Sequence, residues 1–251
     1  MVELVKNEWK KVFLPVLLTT VLLAIAMSVL SCTIYQNYVL HYDLEAWEVG
    51  TELFSLFYPL FVVVPLCWNL YYERKNNFLL YVIPRVKIKK YLTAKWIAYA
   101  LGTLCIIAIP YILSAVFAIY VKPPVVPFVE NPFSHLFEDA FIKAPLLYAV
   151  ALSLCRGIVS LFVMTFSFVL ALYCKNIFVI LTGPFMYSIL ENFVLAILRL
   201  ERLRLVVAFD PTTVDPKIVS ISSFLFGPIV LSIVIGLTSF LLSKKNAVVT
   251  I

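Results

Sequence analysis

From Val12 to Ile34 the chain runs 23 residues without a charge, about 35 Å as an α-helix against roughly 30 Å of bilayer hydrocarbon. Runs of this kind recur at Leu53 to Tyr72, Trp96 to Tyr120 and Ile218 to Ser243, and they leave little chain for anything but membrane crossings. Composition agrees: the chain is 63% hydrophobic and 14% charged, whereas soluble domains run about 45–50% apolar and roughly 25% charged. The sequence therefore predicts a single all-α integral membrane domain over its 251 residues.

Two further runs carry a charge. Ala144 to Cys174 is apolar except for Arg156, and a guanidinium at mid-bilayer costs at least about 2.5–3.5 kcal/mol. That cost places the start of the fourth span near Gly157, ending at Cys174, and makes residues 121–156 an outer segment. Ile177 to Leu198 is the fifth span, with an interruption expected where Glu191 falls. The six spans are then 12–34, 53–72, 96–120, 157–174, 177–198 and 218–243.

Basic residues accumulate in cytoplasmic loops. With both termini inside, 13 of the 20 Lys and Arg residues lie on the cytoplasmic side and six outside; the inverted topology reverses that bias. The first outer loop, with Asp43, Glu45 and Glu48 and no cation, points the same way. Ahead of span one, Val2, Val5, Trp9 and Val12 share one helical face while Glu3, Lys6, Asn7 and Lys10 occupy another, which predicts an amphipathic surface helix over residues 1–11 with Pro15 at the turn into the bilayer.

The motifs of soluble chemistry are missing. The six glycines never form the G-x-x-x-x-G-K-[ST] phosphate loop, the two histidines, His41 and His135, lie far apart, and no G-x-S-x-G occurs. No metal site, nucleic-acid module or ATPase activity is expected of this chain, and Cys32, Cys67, Cys105, Cys155 and Cys174, lacking C-x-x-C spacing, read as packing residues. Intramembrane charges are the exception to a featureless interior. Glu52, Arg156 and Glu191 either snorkel at headgroup depth, pair with one another, or line a polar exit for a substrate.

The cytoplasmic loop 73–95 holds the most informative segment. Phe78-Leu79-Leu80-Tyr81-Val82-Ile83 is too short to cross a bilayer and too apolar to be left in water. It predicts a short helix docked on another protein or on the interface, ended by Pro84 and followed by the cations from Arg85 to Lys95.

A basic N-terminal helix, six spans and a loop reading Glu73…Leu80…Pro84-Arg85…Tyr91…Lys95 together resemble the permease subunits of the type-2 family of ATP-binding-cassette (ABC) transporters. The resemblance implies that the loop is a coupling helix inserting into a groove on a separately encoded ATPase, through Arg74, Lys75, Asn76, Asn77, Phe78, Leu79, Leu80, Tyr81, Val82 and Ile83. It further implies ATP and Mg on that partner and no cofactor on this chain, a second permease as a homodimer or similar chain, and a multi-pass place in a bacterial plasma membrane. Short re-entrant helices before the last span belong to the same pattern, matched here by Leu198 to Leu205 and the Asp210-Pro-Thr-Thr-Val-Asp-Pro216 turn. The expected function is export of an amphiphilic substrate, whether peptide, antimicrobial or lipid. The alternative is a substrate-binding membrane subunit or an ATP-independent carrier, which favours a polar discontinuous site at midplane.

Overall fold

The structure, a computed structural model, describes residues 1–82, 84, 86–126 and 135–245, with the side chains of Leu79, Leu80, Ser243 and Lys245 left out. Every regular element among them is helical: α1 (Val2–Thr33), α2 (Glu45–Lys75), α3 (Phe78–Val82), α4 (Ile88–Tyr120), α5 (Glu138–Lys143), α6 (Pro145–Tyr173), α7 (Ile177–Ile197), α8 (Leu205–Phe209) and α9 (Ile221–Lys245), with short 3-10 turns between some of them. Six of these, α1, α2, α4, α6, α7 and α9, are long and apolar enough to cross a membrane.

The core is built chiefly from α1, α2, α4 and α6. α1 packs along α4, α4 along α6, and α2 against α1 and α6. Val12, Val16, Val62, Leu66, Tyr99, Ile106, Val163 and Met164 are buried between them. Small residues set the closest approaches: a Cβ on Gly50 in α2 falls 2.5 Å from the Ser31 Cα in α1, and one on Gly227 in α9 falls 2.8 Å from the Leu205 Cα in α8. α7 and α9 bury far less of their surface, and Phe178, Phe193, Ile197, Ile221 and Leu241 stand exposed on them. In water such faces are unfavourable; in hydrocarbon they cost nothing.

Several boundaries differ from those read in the sequence. The helix in residues 2–33 is continuous, without a turn at Pro15 and without a separate surface helix over 1–11. Proline removes one backbone donor, but the first turns of α1 are anchored elsewhere, by Glu8, 3% exposed, against Lys95 of α4. At 32 residues α1 is about 48 Å long, so its opening turns reach past one leaflet's hydrocarbon along the same axis.

The fourth long helix starts at Pro145, not near Gly157, and Arg156 lies inside it. Pro145 occupies the first helical turn, where its missing N–H costs nothing. α7 passes Glu191 unbroken to Ile197. The buried short helix in the last connection is Leu205–Phe209, all five residues buried, displaced from the expected Leu198 to Leu205. α2 and α4 extend the expected spans to Glu45–Lys75 and Ile88–Tyr120.

Candidate functional site

Three polar constellations interrupt the apolar bundle, and each ties several helices together.

At the end where α1 and α4 begin and α2 finishes, Lys95 is fully buried and bridges two carboxylates, Glu8 Oε2 of α1 at 2.8 Å and Glu73 Oε2 of α2 at 2.5 Å. Lys11 reaches the other oxygens of the same pair, at 2.5 Å and 3.2 Å, and the Tyr91 hydroxyl donates to Glu73 Oε2 at 2.9 Å. Two cations balance two anions, with every carboxylate oxygen engaged, the arrangement under which buried charge is tolerable. Lys11 also stands 5.1 Å over the Phe78 ring, which connects this node to α3.

The turn from α2 into α3 has a local cause. Asn76 and Asn77 donate their backbone N–H groups to the Tyr72 and Arg74 carbonyls, and Asn77 takes a left-handed conformation at φ 56°, which asparagine accepts more readily than most residues. The Arg74 guanidinium donates to the Cys174 carbonyl, pinning the end of α2 to the end of α6. Lys75, Asn76, Asn77, Phe78 and Tyr81 are exposed, Tyr81 at 73%, and Val82 is half-buried. Ile83 lies outside the described residues.

The second constellation surrounds Arg156. Its side chain is 0% exposed, and Nη2 donates to Asp210 Oδ1 at 2.6 Å. The guanidinium carbon sits 4.3 Å from the Tyr111 ring centroid and 4.7 Å from that of Trp47, so carboxylate and aromatic faces share the work of replacing water. Asp210 Oδ1 also accepts the Thr212 hydroxyl at 2.7 Å. Phe209, next in chain, stacks on Tyr58 at 3.9 Å. α8 is thus wedged between α2, α6 and α9. Its first amide, Leu205 N–H, donates to both Glu191 carboxylate oxygens at 3.0 and 3.1 Å.

The three intramembrane charges singled out in the sequence are not brought together. Arg156 is paired with Asp210, Glu191 caps α8, and Glu52 lies on the exposed face of α2. Asp210, the residue that makes Arg156 affordable, was read only as part of a turn. Its signal was available in one form: it directly follows the apolar run Leu205 to Phe209.

The third constellation lies at the opposite end from the Lys95 node. His135 Nε2 is 2.8 Å from Glu45 Oε1, and Nδ1 is 3.7 Å from Glu48 Oε2. Glu45 Oε2 accepts the backbone N–H groups of His41 and Tyr42 at 2.5 and 3.1 Å. Nearby, Lys122 pairs with Asp43 at 2.5 Å. Glu45, Glu48 and His135 border a cavity of about 470 Å³, lined also by Leu40, Val49 and Thr212 among others. No group of three or more His, Cys, Asp or Glu side chains able to hold a metal ion occurs among the described residues, and all five cysteines are free thiols.

No protein-family model, curated protein or solved structure matches the chain.

Proposed function

We propose that the chain is the transmembrane permease subunit of an ABC exporter, moving an amphiphilic substrate with ATP hydrolysed by a separate subunit that binds the α3 segment. The observation that carries the reading is α3 itself: five helical residues, Phe78–Val82, between the long helices α2 and α4, with Phe78 40% and Tyr81 73% exposed. An aromatic pair exposed beside a basic stretch has the composition of a protein-docking patch, where aromatic anchors carry most of the energy and charges set the encounter rate. The Lys95 node supports it further, since it ties α1, α2 and α4 together directly behind α3, giving a force applied at α3 a rigid path into three spans.

In this reading the end bearing α3 is cytoplasmic, as the distribution of Lys and Arg favours, and six crossings return the chain to that side. The membrane is a bacterial plasma membrane, a second permease completes the pathway, and this chain binds no nucleotide.

The test is co-purification from native membranes. Phe78→Asp with Tyr81→Asp puts two charges into a contact that must be dry to be strong, and recovery of an ATPase per permease should fall at least tenfold while permease abundance holds. Normal recovery with the double variant removes the coupling role. Orientation is checked separately: a membrane-impermeant thiol reagent should label a cysteine placed at Tyr42 from outside and miss one at Asn77.

A further inference from the structure

The His135 constellation joins the start of α2 to a short segment that otherwise packs on α6. α5 is six residues long, its Asp139 and Lys143 side chains are 90% and 77% exposed, and they pair only with each other. What fixes this segment is a small contact on α2 and α6. The His135 ring stacks on Phe141 at 4.0 Å with 3° between planes, Tyr42 meets both rings edge-on at 5.9 and 5.8 Å, and Phe141 meets Tyr148 of α6 at 5.3 Å. Within that aromatic box the polar link is the imidazole, 10% exposed, held between Glu45 and Glu48, 6% and 15% exposed.

We infer that protonated His135 is a pH-sensitive clasp, binding the 135–143 segment to the start of α2 when charged and releasing it when neutral.

The surroundings decide the sign. From α2, Glu45 and Glu48 face the ring; from α5, Glu138 adds negative charge at longer range; Tyr42 and Tyr148 contribute neutral rings; His41 approaches Glu45 by its backbone N–H. The buried cations are committed elsewhere, Arg156 to Asp210 and Lys122 to Asp43. Burial opposes charge on the ring, but the Glu45 hydrogen bond and the three carboxylates outweigh it and raise the His135 pKa above its ordinary value. A folded-state pKa above the unfolded one, about 6.5, means the clasp is fully closed below that pH and loosens as pH climbs through the raised value. Protonated, both ring nitrogens donate, one toward each glutamate; neutral, one of them must face a carboxylate without a proton between. This holds whether or not the chain is a transporter.

Hydrogen exchange on the purified full-length protein in lipid nanodiscs reads the clasp directly. The Ala140 and Phe141 amides, bonded to the Phe137 carbonyl at 2.8 and 3.1 Å, report α5. After correction for intrinsic exchange, their protection should fall about tenfold between about pH 6 and about pH 9, since a charge-assisted bond is roughly twice as strong as a neutral one, while α4 peptides stay unchanged. His135→Gln, which keeps a donor but cannot be charged, should give low protection at both pH values. A flat wild-type profile overturns the clasp even if the variant fails to fold. A profile in His135→Gln as steep as the wild type's overturns it equally, by assigning the transition to another group.

Discussion

Asp210→Asn is the most informative single change in the bundle. It keeps the shape of the side chain and leaves an acceptor for Thr212, but removes the negative charge with which Arg156 is paired. The two side chains are 0% and 1% exposed, so water cannot move in without the surrounding helices moving apart. Removing one member of a buried pair costs about 3–5 kcal/mol. The Trp47 and Tyr111 faces, at 4.7 and 4.3 Å, continue to stabilise the guanidinium, worth about 2 kcal/mol when desolvated, which puts the expected loss at the lower end, about 3 kcal/mol. That is more than a hundredfold in the unfolding equilibrium. Arg156→Met should cost a similar amount by stranding Asp210, whereas Arg156→Met with Asp210→Asn leaves no buried charge. The double variant should therefore lose no more than the worse single, a coupling of at least about 2 kcal/mol. Unfolding in mixed micelles, followed by tryptophan fluorescence, measures all four proteins. If Asp210→Asn lies within about 0.5 kcal/mol of the wild type, or if the two single costs simply add, the pair does not hold α8 in the bundle.

The Lys95 node should respond in proportion to what remains of it. Lys95→Met leaves Glu8 and Glu73 bridged by Lys11 alone, for an expected loss of about 2–3 kcal/mol in the same micelle assay; an unaffected variant would mean that Lys11 satisfies both carboxylates by itself. Gly50→Ala drives a methyl into the Ser31 backbone at 2.5 Å and should cost about 1–3 kcal/mol by overpacking. Gly236→Ala, with nothing within 4 Å, should be neutral or stabilising by about 0.5–1 kcal/mol. Equal behaviour of the two alanine variants, read as midpoint shifts, would place no close contact between α1 and α2.

Where the sequence was legible, it was legible through length and polarity. An apolar run long enough to cross hydrocarbon has to form helix, because every backbone group inside a bilayer needs a partner within its own segment, and each of the six long helices covers most of the run that predicted it, α9 starting at Ile221 where the run starts at Ile218. The Phe78 helix was legible for the complementary reason, being too short to cross and too apolar for water. Boundaries were less so. Nothing in the local composition distinguishes a surface helix followed by a span from one helix of 32 residues; the difference lies in Glu8 meeting Lys95, which is 87 positions away.

Arg156 is the sharpest case, because the rule applied to it is sound and the helix nonetheless runs through it from Pro145 to Tyr173. An unpaired guanidinium at mid-bilayer is costly, and moving the span to Gly157 avoids that cost. The fold instead removes the cost at its source, supplying a carboxylate from 54 residues downstream and two aromatic faces from α2 and α4. For that to happen the Asp210 turn must be carried into the bundle, and the five residues before it, Leu205 to Phe209, are apolar and fully buried. α8 and the charge pair are therefore one device: the apolar wedge carries the anion inward, and the anion makes the cation in α6 stable at that depth. Glu191, read as an interruption of α7, completes it from the other side by accepting the first amide of the wedge. A residue-by-residue cost assigns each of these three charges to the membrane surface, whereas their joint cost, with α8 between them, keeps two of them inside.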